Sequence, residues 1–176
     1  MAGAARADRL LMLAAGGRTA ERAVVAALEG RKRLQALEPG ARVAIAVGSR
    51  GIAHIAEVVR AAVTWLKARG FEPFIVPAMG SHGGGTAEGQ RDVLLDYGIT
   101  PEGVGAEIRA TMDTVVLGHT PDNVEIHCDA NAHAADHIVV IGRVKPHTGF
   151  RSDIESGLCK IMAVGLGKRT GAERIH

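Results

Sequence analysis

Aromatic side chains are scarce: Phe, Tyr and Trp make up 3% of the 176 residues, against a hydrophobic share of 47%. The core must therefore be built from Ala, Val, Leu and Ile, and a base-stacking surface for nucleic acid lacks its material. Net charge is also low at +2, with acids and bases intermixed. The densest basic run, GRKRLQ from Gly30 to Gln35, falls in a helical pattern and reads as a solvated face. Only Cys128 and Cys159 carry thiols, so no disulfide framework is implied and a reducing, cytoplasmic setting is expected. Long apolar runs are missing too. RLLMLAAGG holds an apolar stretch of about six residues, below the ~7–15 of a signal-peptide core. No stretch approaches the ~18–20 residues of a membrane span. These absences lead to the expectation of a soluble protein without nucleic-acid or membrane partners.

Glycine and alternating pattern are plentiful. Helical spacing runs from Thr19 to Leu37, with Thr19 as N-cap and Pro39-Gly40 as the stop. A short β-type run, Arg42 to Gly48, is followed by a helical pattern from His54 to Gly70. FEPFIVP then reads as a buried strand, and Thr86 to Gly98 as a helix capped by Thr86. AEIRA, TVVLG and VEIHC read as short strands, NAHAAD as a short helix, and HIVVIGRV as the clearest strand. SDIESGLCKIMAVGLGK reads as one helix starting at Ser152 or Asp153. Strand and helix in alternation predict an α/β fold: a mostly parallel sheet flanked by helices, in Rossmann-like βαβ units. Ligands of such sheets bind beyond the carboxyl ends of the strands.

The unusual residues collect there. In GSRGIAHI, Arg50 either caps its own loop or grips a carboxylate in bidentate fashion. In AMGSHGGGTAEGQ, Gly83, Gly84 and Gly85 clear space beside His82 and precede a helix start, where backbone N–H groups can face an anion. The glycine pattern is neither a P-loop nor GxGxxG. In GRVKPHTGF, Pro146 stiffens the approach to His147, a second imidazole able to act as base and acid near neutral pH. Lys160 lies beside Leu158, Ile161 and Met162, where it either snorkels or is chemically used. His127, Cys128, Asp129, His133 and His137 invite a zinc reading, but the zinc-protease Glu is missing from HAADH.

VGSRGI, AMGSHGGGTAEGQ and RVKPHTGFRSDIESGLCKIMAVGLGKRTGAERIH together resemble the N-terminal domain of the nickel-dependent lactate racemase family, from about Arg42 to His176. The resemblance implies a two-domain protein. Residues 1–176 would be its N-terminal catalytic and cofactor-binding domain, with 1–40 as a helical lead-in, and the C-terminal domain would lie outside this chain. It implies a nickel-pincer nucleotide tethered to a lysine through a thioamide, with nickel held by two sulfurs, a ring carbon and a histidine. The matching positions are Lys160 and His176; Lys145 and Lys168 remain alternatives for the tether. A straight helix would hold positions 160 and 176 about 24 Å apart, so the chain is expected to double back at Gly165, Gly167 and Gly171. The implied reaction is racemisation or epimerisation of a 2-hydroxy acid by hydride removal and return. His82 and His147 match the two bases, Arg50 the substrate-binding arginine, and Ser49, Gly83, Gly84 and Gly85 the cofactor contacts. The family's DHTRP is VGSRGI here and its GFSGGRK is GFRSDIESGLCK, so a 2-hydroxy acid larger or more acidic than lactate is expected. The cofactor is expected only when the host makes it, the chain alone is expected to be inactive, and its cleft face is expected to support self-association. Two other readings stand beside this one: a non-catalytic α/β module that holds a nucleotide or other anion, and a zinc hydrolase built on His127 to His137.

Overall fold

The computed structural model describes residues 10–13, 20–49, 51–143 and 157–175. Four strands form one sheet: β1 (Leu10–Leu13), β2 (Arg42–Val47), β3 (Glu72–Pro77) and β6 (His137–Ile141), in the order β1-β6-β2-β3, all parallel. A separate antiparallel pair joins β4 (Thr114–His119) to β5 (Glu125–Asp129).

The sequence of β2, Arg-Val-Ala-Ile-Ala-Val, explains the layering. Alternate residues of a strand face opposite sides of the sheet. Val43, Ile45 and Val47 join Ile75, Val139 and Ile141 in a core under α1 (Ala20–Glu29), α3 (Ile55–Lys67), α4 (Ala87–Asp96) and α5 (Pro101–Val104), which contribute Val24, Leu28, Val58, Val59, Leu66, Leu94 and Val104. Ala44 and Ala46 face the other way, into a second core with Phe74, Val76, Val140, Cys128, Ala132 and Leu166. Small side chains on that face let α6 (Ala130–Ala134) and the segment bearing Leu166 approach the sheet closely. Both faces are thus covered, as parallel sheets require. The free side of β3 is blunted by the chain at 107–109: Ile75 N donates to Glu107 O, and Arg109 N to Ile75 O, each at 2.8 Å.

Several sequence expectations change. The Thr19–Leu37 helix is two pieces, α1 and α2 (Lys32–Gln35), broken around Gly30 and Arg31. In α2, Leu34 is buried and its basic neighbours are exposed, as a solvated face requires. The lead-in also holds a strand, because Leu10–Leu13 pairs with β6. AEIRA forms only the isolated bridge at Ile108 and no strand of its own. The helix expected from Ser152 is described only from Gly157, since 151–156 lie outside the described residues. From there α7 (Leu158–Lys160) passes into a π-turn, Ile161–Gly165, and a new helix, α8 (Lys168–Ile175), begins after a break. Lys168 sits at that break with φ +57°, a conformation that ends the first helix. A Cβ at Gly167 would meet Ala163 O and crowd the Gly171 Cα, so α8 starts tightly against the turn; position 176, and with it the expected doubling back toward Lys160, lies outside the described residues.

Candidate functional site at the strand exits

Parallel strands deliver their exits to one edge, and here one short segment holds three of them. The π-turn Ile161–Gly165 comes directly after Lys160. Its Ile161 side chain reaches the exits of two strands: a Cβ at Gly48, after β2, would stand 3.9 Å from Ile161 Cδ1, and one at Gly142, after β6, would collide with the same atom. The third exit, after β3, docks on the end of the turn. Gly80 N donates to Gly165 O at 3.2 Å, and a Cβ at Gly165 would lie 2.7 Å from Ala78 O. Glycine at 165, which faces backbone, is therefore a packing requirement of this junction, whereas at 142 the Ile161 side chain could turn away.

Two exit loops also meet through side chains. Ser49 Oγ and His82 Nδ1 are 2.5 Å apart. The Tyr97 hydroxyl, from the end of α4, donates to Ser49 O at 2.6 Å and fixes the backbone behind that serine. His82 is half-buried. Beyond it, Gly83, Gly84 and Gly85 take φ of +63°, +67° and +66° in a tight turn that no ordinary side chain adopts readily. Thr86 then caps α4, its Oγ1 accepting from Gly89 N at 3.0 Å. Arg143, just past β6, is exposed; a Cβ at Gly51 would stand 3.3 Å from its Nη1.

The two described lysines of this region are opposites. Lys160 is exposed. Lys168 is fully buried, with Nζ donating to Pro77 O at 2.5 Å and to Gln90 Oε1 at 3.1 Å, and lying 2.9 Å from Asp129 Oδ2. Asp129 is equally buried and caps α6, its Oδ1 accepting from Ala132 N at 2.8 Å. Burial pushes the Asp129 carboxyl up from its ordinary pKa, and the Lys168 charge opposes that. Burial likewise pushes the Lys168 ammonium down, against the pull of Asp129.

Of the sequence-predicted residues, Ser49 and His82 are brought together, Gly83–Gly85 form the loop beside them, and Lys160 is exposed at the end of α7, directly before the π-turn. Arg50, His147, His176 and the alternative tether Lys145 lie outside the described residues. Among the described residues no three His, Cys, Asp or Glu side chains are grouped to hold a metal ion, which removes the zinc reading of His127 to His137. His127 instead meets Thr114 Oγ1 at 3.0 Å and Glu125 Oε2 at 3.3 Å. Sequence reasoning missed Tyr97 and Gln90, and weighed Asp129 only as a zinc ligand, not as the partner of Lys168. The available signals were an amide in an otherwise amphipathic helix and an acid at the end of β5, just before the short helix that it caps.

Fold and site together define an α/β domain, with glycine-rich strand exits gathered on one edge. The chain belongs to the lactate racemase family: it matches the lactate racemase N-terminal domain over residues 12–169. Comparison with curated proteins finds no match. No helix among the described residues is long and apolar enough to cross a membrane.

Proposed function

We propose that this chain is the cofactor- and substrate-binding half of a racemase or epimerase acting on a 2-hydroxy acid. The observation that carries the reading is the convergence at Ile161. One side chain, directly after Lys160, touches the exits of β2 and β6, while Ser49 and His82 join the exits of β2 and β3. A ligand attached at Lys160 would lie over the loops that bear the other expected groups.

The residues present fit a tethered nucleotide. Lys160 is exposed and therefore open to attachment, whereas Lys168 has its ammonium enclosed by three oxygens. Gly83–Gly85 offer an approach free of side chains. Lys160 would hold the nickel-pincer nucleotide, with His176 as the expected metal ligand, and when bound that group supplies a hydride acceptor and donor. His82 acts as one base, taking the hydroxyl proton of one enantiomer, and His147 is the expected base for the other. For His82 to accept that proton at Nε2, its Nδ1 must carry a hydrogen, which the Ser49 Oγ 2.5 Å away can accept. Arg50 is the expected partner of the substrate carboxylate, through its planar fork. A second domain would close the cleft from outside this chain.

The test is co-expression of the full-length protein with cofactor-synthesis proteins, followed by peptide mass analysis and a screen of 2-hydroxy acids. A mass increase on the Lys160 peptide, bound nickel and racemisation of at least one acid are expected. An unmodified Lys160 would favour a non-catalytic anion-binding module.

A further inference from the structure

The buried Lys168 has no part in the chemistry above, yet its contacts run straight to the histidine loop. Lys168 Nζ holds Pro77 O, at the last residue of β3, and Gln90 Oε1. Gln90 is fully buried, and its Nε2 donates to Gly80 O at 2.7 Å and to His82 O at 3.3 Å. The amide therefore reads both ends of the short loop that carries His82. Asp129, 2.9 Å from Lys168 Nζ, brings in the end of β5, and Asp129 N donates to Leu166 O at 2.6 Å, on the segment just after the π-turn. One buried cation thus connects the β3 exit, the first turn of α4, the end of β5 and the chain just past the Lys160 turn.

Such a network is costly to assemble from charged groups, and an apolar cluster of equal volume would stabilise the fold at least as well. What the polar version adds is direction. An amide with one acceptor on a fixed ammonium must aim its two N–H groups one way, and here they aim at the carbonyls of Gly80 and His82. We propose that Lys168 and Gln90 are positioning residues: the ammonium orients the Gln90 amide, which fixes the backbone of the His82 loop and so the placement of that imidazole against Ser49. The catalytic purpose of this tie rests on the reading of His82 as a base.

The experiment uses this chain, labelled for histidine NMR, in two variants. Gln90→Met removes the amide, and Lys168→Met/Asp129→Asn removes both charges without stranding either one. In each folded variant the His82 ring should change chemical shift, and its titration midpoint should move by about half a pH unit or more. The exposed His54 ring, which pairs with Glu57 of α3, should keep its chemical shift. Wild-type His82 behaviour in folded variants overturns the proposal. So does loss of the folded state in both, because the network would then be structural only. The base assignment is tested apart from this. Unchanged turnover of a cofactor-loaded His82→Gln enzyme would remove the catalytic purpose while leaving the measured tie in place.

Discussion

At the scale of single residues, the Lys168–Asp129 pair makes a signed prediction. Lys168→Met leaves the Asp129 carboxyl buried without its counter-charge, at a cost of about 3–5 kcal/mol near pH 7. Burial already raises the folded-state pKa of Asp129 above its ordinary value, and loss of the ammonium raises it further. In the variant the folded state therefore holds a proton that the unfolded chain has released. Stability falls as pH rises from about 4 until Asp129 ionises within the fold. Urea unfolding of Lys168→Met should accordingly show a smaller loss at pH 5 than at pH 8; an equal loss at both would show that Asp129 does not titrate in that range. Ser49 gives the second prediction. If its hydroxyl mainly orients His82, Ser49→Ala in the cofactor-loaded full-length protein lowers kcat by about tenfold and leaves the Lys160 adduct intact. Loss of the adduct instead would mark Ser49 as a cofactor contact.

At the scale of elements, the junction between the strand exits and the π-turn is closely packed. A Cβ at Gly165 would stand 2.7 Å from Ala78 O, against backbone that cannot step aside. Gly165→Ala should cost about 1–3 kcal/mol and displace the Lys160 turn. Gly84 is the contrast. Nothing lies within 4 Å of its would-be Cβ, and only its φ of +67° resists substitution. Gly84→Ala should cost about 1–2 kcal/mol, by backbone strain alone. Denaturant midpoints, with the Ile161 methyl resonances as a local probe, separate the two: only Gly165→Ala should move the methyls. The π-turn is also where helical periodicity misled. Apolar residues from Leu158 to Val164 suit a continuous α-helix, but docking three exits widens the turn, and the left-handed backbone at Lys168 separates it from α8.

At the scale of the whole molecule, the sheet gathers its exits and a further domain is expected to cover them. Residues 1–176 alone should racemise no 2-hydroxy acid, even with cofactor supplied. Chiral analysis of product decides this, and clear turnover would show that no second domain is needed. An open cleft edge should also promote association, so light scattering should find species larger than a monomer.

The sequence by itself determined the strands and the site loops. Short apolar runs rich in Val and Ile and bounded by Gly or Pro suit buried parallel strands, and glycines beside a histidine clear space around it, so β2, β3, β6 and the loops after β2 and β3 were legible from local pattern. Leu10–Leu13 escaped because four apolar residues acquire strand geometry only by pairing with β6. The Lys168–Gln90–Asp129 network escaped for the same reason on a larger scale: its members are 39 to 78 residues apart in pairs that involve Lys168, and nothing in a one-dimensional pattern says that a lysine between a glycine and an arginine will be desolvated. Burial and partner choice for a charge depend on which distant segments close over it, and that only the tertiary structure decided.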